Sequence, residues 1–187
     1  ALQLALPNAQ GYSDSRGILP AREAVSRFYA EEGVHGIRPD DVIIGNGVSE
    51  MISLVLQALV DDGDEILVPS PDYPLWTAQV TLSGGRAVHY PCDESNGWMP
   101  DLDAIEARIT PRTKEHAALH VSDTLCLTFS GLSKAQRVAG YRAGWVAISG
   151  NRERATDFLE GLTLLANMRM CANVPAQHAI PVALAPE

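Results

Sequence analysis

Short strand-like runs alternate with helix-like segments along this chain, and turns rich in glycine, proline or aspartate separate them. Strands are predicted at Asp41–Gly45, Glu65–Val68, Ala87–Tyr90 and Thr124–Phe129, and helices at Val48–Val60, Asp101–Ile109 and Asn151–Ala166. This alternation favours an α/β fold in which helices sandwich a mostly parallel sheet.

The strand predicted at Thr124–Phe129 leads into Ser130-Gly131-Leu132-Ser133-Lys134, and Arg142 follows eight residues later. Schiff-base chemistry needs an amine that can lose its proton, and both partial burial and a nearby guanidinium lower the pKa of a lysine. The serine and arginine side chains suit a phosphate. A surface turn is the alternative interpretation of the same residues.

The step from strand to helix at Gly47-Val48-Ser49 is a second candidate site. The first N–H groups of a helix have no intrahelical partner, the helix dipole attracts negative charge, and glycine permits close approach. A phosphate fits such a site, although Ser49 could instead simply cap the helix. Because the ends of parallel strands converge on one crevice, we expect this step to lie near a second cluster, formed by Ser130, Ser133, Lys134 and Arg142.

An aromatic loop, Asp72–Trp76, follows the strand predicted at Glu65–Val68. Tyr73 lies between two prolines in this region and could offer a flat face on which a heteroaromatic ring stacks. Ordinary core packing is the alternative for this side chain.

Composition argues against several functional classes. The 14 Lys and Arg residues are outnumbered by 23 Asp and Glu residues, so nucleic-acid and anionic-membrane partners are not expected. Three cysteines without CxxC spacing, and the lack of a secretory signal, predict a cytoplasmic protein with reduced thiols. The histidines are not spaced as metal ligands, so no metal site is predicted. Arg169 could bind a substrate carboxylate, but it is interpreted as an exposed arginine at a helix end.

Several motifs, in their order along the chain, resemble those of the fold-type I pyridoxal-phosphate-dependent aminotransferases of class I and II. They are Tyr12–Gly17, Gly45–Glu50, Pro71–Pro74, Ser130–Lys134 and Gly140–Trp145. The runs Thr128–Lys134 and Asn167–Ile180 are similar to the bacterial alanine (glutamate–pyruvate) aminotransferase branch. The resemblance implies pyridoxal 5'-phosphate as cofactor and a ping-pong transfer of an amino group between an amino acid, alanine or glutamate, and a 2-oxo acid.

The resemblance also implies a role for each residue of the two clusters. Lys134 is implied to be the catalytic lysine, which bonds the cofactor and later moves the proton. Val48, Ser49, Ser133 and Arg142 are implied to bind the cofactor phosphate.

Two tyrosines complete the implied site. Tyr73 is expected to stack on the pyridine ring of the cofactor. Tyr12 is expected to reach the phosphate bound by the neighbouring subunit, which implies a homodimer.

The chain also departs from the family pattern. After Thr110–Lys114 the family continues with an Asn-Pro loop, a helix and an Asp-Glu-x-Tyr strand, whereas Glu115 follows at once here. The absent block carries the family's aspartate for the pyridine nitrogen, and its loss would leave unpaired sheet edges. We therefore expect residues 1–187 to be a partial cofactor-binding large domain, with a gap between Lys114 and Glu115 and without the small C-terminal domain.

Other functions stay open at this point. One is a different fold-type I reaction, such as that of a C–S β-lyase. Another is a non-catalytic regulator domain that binds pyridoxal phosphate, or a cofactor-binding remnant, which a true internal deletion would favour.

Overall fold

The computed structural model of this chain describes residues 9–115 and 124–185. These residues form two compact units, the first built from 9–54 and 124–185 and the second from 55–115. The strands are β1 (Val42–Gly45), β2 (Glu65–Ser70), β3 (Arg86–Asp93), β4 (Met99–Pro100), β5 (Thr113–Glu115), β6 (Leu125–Gly131) and β7 (Gly144–Gly150). The α-helices are α1 (Leu19–Glu31), α2 (Val48–Leu59), α3 (Leu75–Leu82), α4 (Leu102–Glu106), α5 (Thr156–Met168), α6 (Val174–Gln177) and α7 (Ala179–Ala183). Short 3₁₀ helices lie at Pro39–Asp41, Glu94–Asn96, Ala139–Tyr141 and Glu153–Ala155.

The first unit is built on a three-stranded sheet with the order β1-β7-β6. β7 runs antiparallel to both neighbours, so β1 and β6 point in the same direction. Gly45 at the end of β1 and Gly131 at the end of β6 both lie opposite Gly144 of β7. The carboxyl ends of β1 and β6 therefore meet at one edge of the sheet.

Apolar side chains of β1 and β7 form the centre of the first unit. All four residues of β1 and the first five of β7 are buried. Trp145 of β7 is 1% exposed, and its indole N–H donates to the hydroxyl of Tyr29 in α1 at 3.3 Å. Burying a large side chain of this kind stabilises a fold by about 2–3 kcal/mol. The contact fixes α1 on the face of the sheet.

Asp41, immediately before β1, is a buried carboxylate between two arginines. Arg38 Nε donates to it at 3.0 Å, and both Nε and Nη2 of Arg152 donate to it at 2.8 Å. Burial acts to raise the pKa of Asp41, but the hydrogen bonds from Arg38 and the charge of Arg152 outweigh burial and lower the pKa. Because Arg152 follows β7, these ion pairs tie the start of β1 to the end of β7.

The second unit contains a four-stranded sheet with the order β4-β3-β2-β5. β2 is parallel to β3 and β5, and α3 connects β2 to β3, whereas β4 pairs antiparallel with β3. Glu65, 1% exposed at the start of β2, accepts a hydrogen bond from Thr110 Oγ1 at 2.7 Å and pairs with Arg86. These two partners lower the pKa of Glu65. The buried apolar cluster of this sheet consists of Leu67, Tyr90 and Ile105.

The α/β fold class predicted from the sequence is confirmed, with one difference in strand direction. Parallel pairing is found between β2 and its two neighbours, whereas the first sheet is antiparallel throughout. The reason is that the chain returns from β6 to β7 through a short connection without a crossover helix. Two helix boundaries also differ, because α4 spans only five residues and α5 begins at Thr156 rather than at Asn151.

Two further observations concern the limits of the described chain. The predicted gap lies within β5, because Lys114 and Glu115 are the last two residues of that strand. Residues 116–123, which follow β5 directly, lie outside the described residues. None of the helices in ranges 9–115 and 124–185 combines the length and apolar character that a bilayer span requires.

Candidate functional site

Residues 46–49, here called the anion turn, comprise the two-residue bend between β1 and α2 and the first two residues of α2. Gly47 has φ +93°, a conformation in which glycine avoids the steric cost of a side chain. A Cβ added to Gly144 would lie 2.5 Å from the amide nitrogen of Val48, so the turn packs directly on the start of β7. Glycines at both positions therefore let the backbone of the turn lie against the end of the sheet.

Arg142 lies against the anion turn. It follows the 3₁₀ helix Ala139–Tyr141 and has φ +54°, a left-handed conformation that is uncommon for a residue with a side chain. A Cβ added to Gly47 would collide with Nη2 of Arg142. Nη1 of the same guanidinium donates to the hydroxyl of Ser133 at 3.4 Å. The structure thus brings Arg142, Ser133 and the anion turn together.

Val48 and Ser49 are the first two residues of α2, and both are half-buried. Ser49 lies inside the first helical turn, so it is not the N-cap residue. Its hydroxyl makes no hydrogen bond to any residue that the structure describes. The N–H groups of this first turn have no intrahelical acceptor. Val48 and Ser49 therefore offer backbone donors, and Ser49 a hydroxyl, at the place where the guanidinium lies.

Lys134 lies in the connection between β6 and β7 and is exposed. This connection turns at the surface, as in the alternative interpretation of the Ser130–Lys134 run, and the Lys134 carbonyl accepts the amide of Arg137 at 3.1 Å. Its ammonium has no ion pair or hydrogen bond within the described ranges. The other lysine of the sequence, Lys114, pairs with Asp61 at 3.7 Å and with Asp64 at 3.4 Å.

Glu50 and Arg169 form an ion pair that holds the anion turn in place through hydrogen bonds to Asn46, Ser15 and Ile44. The Glu50 carboxylate accepts the amide of Asn46 at 2.8 Å and the Nδ2 of Asn46 at 2.9 Å. Arg169 donates from Nη1 to Glu50 at 2.6 Å, and from Nη2 to the carbonyls of Ser15 at 2.7 Å and Ile44 at 3.1 Å. The interpretation of Arg169 as an exposed arginine is therefore wrong, since its side chain is 11% exposed.

The sequence did not predict the ion pair between Glu50 and Arg169, because its two residues are far apart along the chain. The Asn46 and Glu50 positions are four residues apart, which is the one local signal of their contact. Arg169 gives no such signal, because its partners lie 119 to 154 residues away along the chain.

Tyr12 is 80% exposed and lies along a groove of about 590 Å³ in the first unit. The groove is lined by Ala9–Tyr12, Asn46 and Cys171–Pro175. Gln177 fastens the adjoining loop, because its Nε2 donates to Ser13 Oγ at 3.2 Å and its Oε1 accepts the amide of Ile18 at 2.7 Å. Tyr12 and Asn46 thus line the same groove, and the role of Tyr12 toward a partner subunit stays a prediction.

Tyr73 belongs to the second unit, on the loop between β2 and α3, and is 59% exposed. Its carbonyl accepts the amide of Trp76 at 2.9 Å, which helps to start α3. Core packing is therefore not the role of this ring in the second unit. Stacking of Tyr73 on a cofactor stays a prediction.

The donor set of the first unit suits an anion. It combines a guanidinium, two serine hydroxyls and the N–H groups of a helix start, supplied by Arg142, Ser133, Ser49 and Val48. No group of three or more His, Cys, Asp or Glu side chains within the described part of the chain could hold a metal ion. The chemistry that this arrangement supports is the binding of a phosphate-like group.

Comparison with known proteins relates this chain to one family. A family model described as "Aminotransferase class I and II" matches residues 1–121. An alanine aminotransferase of Mycobacterium tuberculosis is 50% identical, and the alignment covers 96% of this chain and 54% of that protein. The glutamate-pyruvate aminotransferase AlaA of Escherichia coli is 44% identical, with 96% and 56% covered. The chain therefore spans about half the length of the curated relatives that it matches.

Solved structures agree with this relationship. An aminotransferase from Escherichia coli superposes with a TM-score of 0.91 at 43% identity, covering 100% of this chain and 58% of that one. An alanine aminotransferase from Pyrococcus furiosus superposes with a TM-score of 0.90 at 28% identity, covering 99% and 60%.

Proposed function

The chain belongs to the class I and II aminotransferase family, and from this membership we propose that it is part of a pyridoxal-phosphate-dependent aminotransferase. The proposed substrates are an amino acid, alanine or glutamate, and a 2-oxo acid, which react in turn by a ping-pong mechanism. One observation carries the proposal: Arg142 bridges Ser133 and the anion turn in a chain that is 50% identical to an alanine aminotransferase.

The residues of the first unit fit the phosphate group of the cofactor. A phosphate dianion requires several donors and positive charge, and the helix start with the Arg142 guanidinium offers both. Gly47 keeps the site open, because any side chain there would occupy the space of the Arg142 guanidinium. The hydroxyls of Ser49 and Ser133 complete the donor set for the remaining oxygen atoms.

Lys134 is the proposed catalytic residue. Pyridoxal phosphate, when bound, supplies an aldehyde that couples to amines and a ring that stabilises negative charge on the substrate's α-carbon. An ammonium without a competing ion pair, as found for Lys134 within the described ranges, is available to bond the aldehyde after losing a proton. Once the substrate's amine has displaced it, the free Nζ would remove the proton from the α-carbon of the donor amino acid in the first half-reaction. In the second half-reaction it would deliver a proton to the α-carbon that the acceptor oxo acid contributes.

The length of the alignments supports an internal gap in this chain. The match to the Mycobacterium tuberculosis protein runs over 231 positions, yet 96% of 187 residues is only about 180. About 51 aligned positions therefore have no counterpart here. We place them between Lys114 and Glu115, the last two residues of β5. β5 is an edge strand of the second sheet, and β6, next along the chain, is an edge strand of the first.

Such a block supplies strands for two open sheet edges, which are otherwise prone to pair with other chains. It also supplies the aspartate, asparagine and tyrosine that the family resemblance leads us to expect around the pyridine ring. An intact mass near 20.1 kDa for the natural protein would contradict this proposal.

A homodimer and a cytoplasmic location also stay predictions. The dimer follows from the role proposed for Tyr12, which is exposed and available to a second subunit. Measurement of the molar mass in solution tests it, and a monomer that turns over substrate contradicts it.

The reaction is tested by following the absorbance of the full-length protein mixed with pyridoxal phosphate. Glutamate or alanine should convert the cofactor to its amine form, and pyruvate or another 2-oxo acid should restore the original spectrum. Release of pyruvate from a sulfur amino acid, with no need for an acceptor oxo acid, would indicate an elimination reaction instead. A bound cofactor that no amino acid alters would indicate a regulatory or remnant domain.

A further inference from the structure

The carboxylate of Glu50 lies in the first turn of α2, at the same helix start that the proposed function assigns to a phosphate. It closes the anion turn through two hydrogen bonds to Asn46, from the amide at 2.8 Å and from Nδ2 at 2.9 Å. A negative side chain stabilises a helix start on its own. A phosphate at the same helix start, however, meets the repulsion of that carboxylate.

Arg169 removes this conflict. Its Nη1 lies 2.6 Å from Glu50 Oε2, and the side chains of the two residues are 11% and 24% exposed. Solvent and salt screen such a shielded pair much less than a surface pair. The positive charge of Arg169 therefore offsets the charge of Glu50 next to the anion turn.

The same guanidinium also fixes the position of the turn. Its Nη2 donates to the carbonyl of Ile44 in β1 and to the carbonyl of Ser15 in the loop that follows Tyr12. Nε of Arg169 is buried and has no partner among the described residues, so the guanidinium is held through its two terminal nitrogens. Strand β1, the loop and the start of α2 are thus joined at one side chain.

We propose that Arg169 is a positioning residue for the phosphate site, which acts through Glu50 by compensating its charge and by holding the anion turn. The inference rests on the proposed function, because it assumes that the turn binds the cofactor phosphate. It assigns to Arg169 no contact with the phosphate itself.

The test measures binding to the full-length protein rather than turnover. Pyridoxal phosphate binding is followed by absorbance, and inorganic phosphate is titrated as a competitor. Arg169→Met leaves the Glu50 carboxylate uncompensated, so we expect phosphate to bind about tenfold more weakly. In the double variant Glu50→Gln/Arg169→Met the repulsion is absent, and most of the affinity should return.

Glu50→Gln alone gives the sharpest result. It removes the repelling charge and keeps Arg169, so phosphate should bind as tightly as in the wild type or several-fold more tightly. If the Glu50–Arg169 ion pair only held the anion turn in place, Glu50→Gln would loosen the turn and weaken phosphate binding. This variant keeps a hydrogen-bonding side chain and remains informative if Arg169→Met does not fold.

Arg152→Met is the matched control. Arg152 also pairs with a buried carboxylate and with main-chain carbonyls of the first unit, but its partner Asp41 lies at the opposite end of β1 from Asn46. We expect a lower melting temperature and an unchanged phosphate affinity.

Two outcomes would overturn the inference, and they are distinguishable from a failure of the proposed function. Equal phosphate affinity in wild type and Arg169→Met would show that the pair does not serve the anion turn. Weaker binding by Glu50→Gln would refute the charge compensation on which the inference depends. A wild-type protein that binds neither pyridoxal phosphate nor inorganic phosphate would reject the proposed function, and the inference with it.

Discussion

The Arg142 guanidinium occupies the space in which a side chain on Gly47 would lie. This contact joins two segments that are far apart in the sequence, the turn before α2 and the connection between β6 and β7. It exists because Gly45 and Gly131 both pair with Gly144, which brings the ends of β1 and β6 to the same edge of the sheet. The phosphate site proposed here depends on that register.

Replacement of Gly47 by alanine should abolish phosphate binding. The new methyl group collides with Arg142 and requires φ near +93°, a conformation that costs an alanine about 1–2 kcal/mol. Gly36→Ala is the matched control, since Gly36 has φ +85° but open space around its Cα. Both variants should lose similar backbone stability in urea unfolding. Only Gly47→Ala should lose affinity for inorganic phosphate, and equal affinities would contradict the site.

Arg142→Met should weaken binding of pyridoxal phosphate by about tenfold to a hundredfold, because a charge-assisted donor is lost. Arg137→Met provides the comparison, since Arg137 lies on the same connection, is exposed and also has a positive φ of +57°. That variant should bind as the wild type does. Equilibrium titration by fluorescence quenching measures both, and a similar loss in the two variants would indicate only general electrostatic attraction.

Local signals account for what the sequence could predict. Glycines next to a β-branched run indicated the strand, turn and helix start around Gly47, and the Ser-x-x-Ser-Lys run indicated the second cluster. Both signals span fewer than ten residues. Helix α1 was not predicted, because its buried residues include two small alanines and a charged arginine, which weaken the hydrophobic periodicity. The buried residues are Ala21, Arg22, Ala24, Val25 and Tyr29.

Contacts between distant segments account for what could not be predicted. The pairing of Arg169 with Glu50 depends on tertiary structure, since neither residue belongs to a periodic pattern that indicates the other. The exposure of Lys134 depends on the path of the connection between β6 and β7. Strand direction in the first sheet likewise follows from that short connection, which periodicity alone does not reveal.

Asp41 should make the stability of the first unit depend on pH in the acid range. Because its pKa in the folded chain is lowered, its stabilising effect is complete above its unfolded pKa of about 3.9 and is lost as pH falls through the folded value. Asp41→Asn should cost about 1–3 kcal/mol at pH 7, less than a fully buried pair because Arg38 is largely exposed. Urea unfolding at pH 7 and below pH 4 measures this difference. If Asp41→Asn lowers the free energy of unfolding by the same amount below pH 4 as at pH 7, the lowered pKa of Asp41 is contradicted.

Lys134→Arg should keep phosphate affinity but lose covalent attachment of the cofactor. Arginine retains the positive charge at this exposed position, yet its guanidinium does not form the carbon–nitrogen bond with an aldehyde that an amine forms. The sequence offers a matched control in Lys114→Arg, since Lys114 and Lys134 are its two lysines and Lys114 is engaged by Asp61 and Asp64. Borohydride reduction of the cofactor complex, followed by peptide mapping, should place the label on Lys134 in the wild type and in Lys114→Arg. Label that persists in Lys134→Arg and is lost in Lys114→Arg would identify Lys114 as the lysine that bonds the cofactor. That result would contradict the proposal that the catalytic amine lies on the connection between β6 and β7.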